Sequence, residues 1–201
     1  LAVKPNLFES VIPQIAEAVT EYMCVVSIAA GQTIAAIEKL FEKKIHLVRA
    51  MPNTPALVGE AMSALSPNDA VTDEELAEVK ALFESFGKAE IVPERLMDAV
   101  IGVSGSSPAY VYLFIEAMAD AAVADGMPRA QAYKFAAQSV LGAAKMVLAP
   151  GQHPGELKDA VCSPGGTTIE GVAALEEAGL RRAVIAGQRA CVKKSKEMSE
   201  Q

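Results

Sequence analysis

The run Cys24-Val25-Val26-Ser27-Ile28-Ala29-Ala30-Gly31 decides the fold class of this 201-residue chain. Its β-branched start suits a strand buried on both faces, as strands of parallel sheets are. Its small-residue end gives a tight turn, and residues 33–43 then carry a helical pattern. Strand, turn and helix in that order form one unit of a parallel α/β sheet, and the unit recurs on either side. Upstream, Leu1-Ala2-Val3 reads as the end of a buried strand with Lys4 at its carboxyl end. Pro5 suits the first turn of a helix reaching about residue 22, which Pro13 interrupts. A chain that opens on a strand end is expected to be a fragment of a longer protein. Downstream, 45–48 and 59–65 read as strands, 73–86 as a helix and 89–92 as a closing strand. Thr72 is placed to cap the 73–86 helix, with Glu75 completing a capping box and Gly87 at its end.

Beyond residue 93 the strand patterns stop. Residues 108–125, 129–148 and 180–196 read as helices, with a shorter one starting near Thr168. The stretch 109–124 is apolar almost all round, broken only by Glu116 and Asp120. A helix without a polar face has to be buried on every side. A helical bundle of about 100 residues offers few such places, so an obligate oligomer interface is expected there.

Bulk properties narrow the function. A net charge of −7 argues against nucleic acid and anionic membrane as partners. No apolar run approaches the roughly 18 residues that span a bilayer. Cys24, Cys162 and Cys191 have unrelated spacings, which fits neither a disulfide framework nor a zinc set and points to a reducing cytoplasm. His46 and His153 are the only histidines, so no metal site is expected.

The stretch best suited to chemistry is Ser163-Pro164-Gly165-Gly166-Thr167-Thr168-Ile169-Glu170-Gly171. Two glycines and three hydroxyls at the mouth of a helix offer free backbone N–H groups and the positive end of a helix dipole to an anion. Lys158 lies five residues earlier and is followed by Asp159, so amides and hydroxyls would do the gripping, as suits a small carboxylate. The bland alternative is a capped helix after a Pro-Gly turn. Strand ends at Val3-Lys4-Pro5, at Ala29-Ala30-Gly31 and before Met51-Pro52-Asn53-Thr54-Pro55 suggest one rim of a crevice, since open sheets bind ligands outside the carboxyl ends of their strands. Ser104-Gly105-Ser106-Ser107-Pro108-Ala109-Tyr110 either brings hydroxyls to a pocket or caps the apolar helix.

Taken together, SGSSPAY at 104–110, HPGELKDAVCSPGGTTIE at 153–170 and MPNTP at 51–55 closely resemble the pyrroline-5-carboxylate reductases of bacterial type, and the likeness runs in order along the whole chain. The resemblance implies a Rossmann domain, here 1–93 and without its first segment, followed by an all-helical dimerisation and substrate domain, 94–201. It implies reduction of 1-pyrroline-5-carboxylate to L-proline with NADP(H) or NAD(H), NADPH ahead of NADH. It implies a homodimer with interleaved helices, leaves room for a decamer, and implies an active site where the domains meet. By position Thr168 is the catalytic hydroxyl at the substrate ring nitrogen, and Ser163, Gly165, Gly166 and Thr167 cradle the carboxylate. Ala2, Lys4, Ala29, Ala30, Asn53 and Thr54 fall at the cofactor contacts. Two other readings stand beside it: an inert fragment serving only as a helical dimerisation module, and a related β-hydroxyacid dehydrogenase. The second would need a catalytic lysine in the helical part, and Lys134 and Lys145 lie in no motif resembling one.

Overall fold

The computed structural model describes residues 1–149 and 151–199. They divide into two compact units, Leu1–Pro108 together with 188–199, and Ala109–Gly187.

The first unit is the α/β part. Four strands, β1 (Cys24–Ser27), β2 (His46–Met51), β3 (Ala61–Pro67) and β4 (Gly87–Ile91), lie in the order β1-β2-β3-β4. β1 pairs β2 in parallel and β3 pairs β4 in parallel, while β2 and β3 are antiparallel. The antiparallel step follows from chain length, because the link 52–60 holds no crossover helix and parallel strands need a connection of about a dozen residues or more. Leu1 continues the sheet outward: its amine donates to Val26 O, and Ile28 N donates to Leu1 O at 3.1 Å, the parallel pattern.

On one face, α1 (Phe8–Ala16) and α2 (Ile34–Phe41) bury Phe8, Ile12, Ile37 and Phe41 against Leu47. On the other, α3 (Asp73–Glu84) sets Val79 and Phe83 on Val48, Ala50 and Leu65. The capping box of α3 is present as expected: Glu75 N donates to Thr72 Oγ1 at 3.2 Å and Thr72 N to Glu75 Oε2 at 2.8 Å. α1 stops at Ala16 rather than near residue 22, since Lys43 Nζ donates to the carbonyls of Ala16 and Val19 and closes its end. Gly87 does not end α3; it opens β4, where a Cβ would lie 2.3 Å from Ala61 O. The glycine serves a close approach of two strands.

After β4 the chain enters α4 (Met97–Val100), whose Met97 is buried against Met51 and Ala64, and continues as a π-helical turn, Ile101–Gly105. Two glycines hid this segment from the helical pattern. Gly102 is required by a crossing with the end of α9 (Leu180–Ser199), where a Cβ would stand 2.9 Å from Val192 Cγ2.

The second unit is helical: most of α5 (Ser107–Ala124), then α6 (Arg129–Leu148), α7 (Pro154–Val161), α8 (Thr167–Glu177) and the start of α9. α5 ends in a Schellman motif, with Gly126 at φ +95° and bonds from Gly126 N to Val123 O and Met127 N to Ala122 O. Arg129 then ties α6 back to α5 through Asp120 at 2.5 Å. α7 was not expected; His153 caps it, with Gly155 N donating to Nδ1 at 3.1 Å. Ala119, Ala132 and Ala136 are buried, whereas Leu113 and Phe135 are each 67% exposed and Leu148 83%. Helices that bury only alanine among themselves and turn large apolar side chains outward need a further surface to cover them.

Candidate active site

In the helical unit, Ser163-Pro164-Gly165-Gly166 forms a turn closed by Gly166 N donating to Ser163 O at 3.0 Å. Pro stands at its second position and Gly165, at φ +65°, at its third, the arrangement of a type II turn. Gly166 is the N-cap of α8 and offers no side chain to the first turn of that helix. Thr167, Thr168 and Ile169 therefore begin α8 without a side-chain cap, which leaves their N–H groups to an outside acceptor. A Cβ at Gly166 would fall 2.2 Å from Ser163 Oγ and so oblige that hydroxyl to turn away. Ser163, Gly165 and Thr167 are exposed, and Gly166 and Thr168 are half-buried. Lys158 is paired with Asp159, so no free cation stands beside the turn from that residue.

In the α/β unit the strand directions gather three segments on one edge. β1 and β2 end there, β3 begins there, and Leu1 runs parallel to β1. Residues 2–5, 28–33 and 52–60 thus leave the same edge of the sheet. Ala2, Lys4, Ala30 and Thr54 are exposed on it. Ala29 is 5% exposed and belongs to the core beside Phe8, so only its backbone can meet a ligand. Gly31 turns the chain at φ +75°. Asn53 is committed within the unit: its Nδ2 donates to Ser104 O and its Oδ1 accepts from Met62 N, both at 3.0 Å.

Two hydroxyls of the 104–107 segment are used inside the protein. Ser104 Oγ donates to Val100 O at 3.1 Å, and Ser106 Oγ lies 2.9 Å from Cys191 Sγ. His46 sits 2.7 Å from Glu75 at the opposite edge of the sheet. Hydrogen bonds from Thr72 N and His46 hold the Glu75 carboxyl below the usual glutamate range. Cys24, paired with His46 across the strands, has its thiol pushed up to about 11 by burial and the nearby Glu75 charge. That thiol is inert at neutral pH. Among the described residues no three His, Cys, Asp or Glu side chains gather to hold a metal.

The family model for pyrroline-5-carboxylate reductase dimerisation matches residues 94–198. The pyrroline-5-carboxylate reductase of Escherichia coli K12 is 55% identical over 199 residues, covering 99% of this chain and 74% of that protein. The chain belongs to the pyrroline-5-carboxylate reductase family. The likeness extends to plants, where the soybean pyrroline-5-carboxylate reductase is 44% identical over 99% of this chain and 72% of its own length. Among solved structures, the Plasmodium falciparum pyrroline carboxylate reductase with NADP bound superposes with a TM-score of 0.92 at 35% identity, over 98% of this chain and 79% of that one. The Coxiella burnetii pyrroline-5-carboxylate reductase gives 0.93 at 35% identity, over 100% and 75%. Membership of this family accounts for both halves: a mostly parallel sheet with helices, and a helical dimerisation part.

Proposed function

We propose that the protein reduces 1-pyrroline-5-carboxylate to L-proline, with NADPH as the hydride donor. The observation that carries this reading is the double-glycine turn at 163–166. It presents uncapped N–H groups of α8 and the positive end of its dipole to a carboxylate, beside the Thr168 hydroxyl. Family relatives of the same name and an NADP-bound member at 35% identity support it.

The nicotinamide fits the strand-end edge, where small residues and the positive-φ turn at Gly31 admit a flat ring against backbone. Ala2, Lys4, Ala29, Ala30, Asn53 and Thr54 would hold it, Asn53 and Ala29 through their main chain. When bound, a reduced nicotinamide supplies the hydride to the imine carbon. The chain's own work is binding and orientation. The 163–167 turn fixes the carboxylate, and Thr168 hydrogen-bonds the ring nitrogen and sets the face of the C=N bond that is open to attack. A protonated imine accepts electrons readily, so no strong acid is needed from the protein. Well-oriented reactants can gain roughly 7–11 kcal/mol, enough for positioning to carry much of the rate.

The outward apolar face of α5 and α6 fits a homodimer with interleaved helices, and a decamer of such dimers is the larger assembly this reading allows. Unpaired Cys24, Cys162 and Cys191 suit a reducing cytoplasm. Among the described residues no helix is long and apolar enough to cross a membrane. The test is cofactor oxidation with pyrroline-5-carboxylate set against a β-hydroxyacid couple. NADPH consumption with the imine alone is expected; activity with the hydroxyacid alone would overturn the reading.

A further inference from the structure

Glu94 makes two hydrogen bonds that no step above uses. Its Oε1 accepts from the backbone N–H of Ile34 at 2.8 Å and from Arg49 Nη1 at 2.9 Å. Ile34 is the first residue of α2, so the first bond closes the far end of the 28–33 loop. Arg49 stands in register with Ser27, level with the last residue of β1, and two residues before the end of β2. It is 3% exposed, and its Nε and Nη2 meet no partner among the described residues. Glu94 is thus the counter-charge of a buried guanidinium. One carboxylate joins the strand that feeds the 52–60 loop, the helix that ends the 28–33 loop, and the segment that leaves the sheet after β4.

An exposed ion pair would contribute little. Here a single oxygen takes donors from two elements, one of them a helix N-terminus, where negative charge is favoured. Without Glu94 the Ile34 N–H loses its acceptor and Arg49 keeps an uncompensated buried charge.

We infer that Glu94, held by Arg49, is a positioning residue that fixes the Ala29-Ala30 loop at the sheet edge and so sets where the nicotinamide rests. The inference rests on the imine-reductase reading above. Misplacement by about an ångström can cost on the order of a hundredfold in rate. The effect falls on the cofactor, because Glu94, Arg49 and Ile34 all belong to the unit that carries the sheet edge.

Two variants of the holoenzyme test it. Glu94→Ala combined with Arg49→Met removes both partners without stranding a charge, and Glu94→Gln keeps an acceptor for Ile34 N. NADPH affinity is measured by fluorescence titration, and kcat and KM are measured with NADPH and imine varied separately. The double variant is expected to bind NADPH at least fivefold more weakly and to lose at least tenfold in kcat/KM for NADPH. Its KM for the imine is expected to stay within twofold, and Glu94→Gln, which keeps an acceptor for Ile34 N but leaves Arg49 without its counter-charge, to fall between wild type and the double variant. An NADPH affinity within twofold of wild type, equal losses toward both substrates, or a double variant that does not fold would each overturn the inference. A wild-type protein that binds NADPH but consumes none with the imine would sink the functional reading instead, and the NADPH titration would still decide the clamp.

Discussion

Thr168 stands at the second position of α8, half-buried, behind a turn whose glycines leave the neighbouring amides bare. Its hydroxyl is the side chain on that helix end assigned to the imine nitrogen, while the amides are assigned to the carboxylate. Thr168→Ala is therefore expected to lower kcat by at least tenfold while leaving NADPH binding unchanged, read by steady-state kinetics beside a cofactor titration. Near-normal turnover would remove Thr168 from the mechanism. What the sequence made legible locally was a Pro-Gly-Gly turn opening a helix, which reads equally well as a plain capped helix; the roles of its residues came from the family resemblance. The commitments of Asn53 were not legible. Its partners, Ser104 O and Met62 N, come from segments far apart in the chain, and nothing local announces them. The pairing of Arg49 with Glu94, 45 residues apart, was hidden for the same reason.

At the scale of elements, α3 shows how one carboxyl serves two partners. Glu75 accepts from Thr72 N within the capping box and pairs with His46 on β2. Both bonds favour the charged form, so its folded pKa lies below the ordinary glutamate value of 4.5. A group whose pKa is depressed by folding stabilises the native state above its unfolded value and loses that contribution as pH falls through the folded one. Glu75→Gln is accordingly expected to be less stable than wild type at neutral pH, with the difference shrinking below pH 4.5. Urea unfolding at pH 7 and at acid pH reads this directly, and a difference that persists into acid would contradict it. The capping box was visible as Thr72-Asp73-Glu74-Glu75 because its rule is local. α4, its π-helical continuation and α7 were missed because their glycines and proline read as breakers. Gly102 answers instead to the packing of α9, and Pro154 opens α7 at a position that tolerates it.

For the whole molecule, the apolar character of 109–124 foretold that this helix would want a partner, and the structure leaves Leu113 67% exposed on it. The direction of β3 was not visible in its own strand pattern, which is the same whichever way it pairs; the signal lay in the short 52–60 link, too brief for a parallel return. Leu113→Glu puts a charge on the face assigned to the dimer and is expected to shift the species in solution toward monomer, with activity falling alongside. Light scattering after size exclusion would show it, and an unchanged mass would place the interface elsewhere. The account as a whole depends on the double-glycine turn receiving the acid group of the substrate. A crystal of the protein grown with L-proline tests that most directly. The proline carboxylate is expected against the amides that follow Gly165-Gly166, with the ring nitrogen within hydrogen-bonding distance of Thr168 Oγ1. Proline bound at another place, with nothing on that turn, would contradict it.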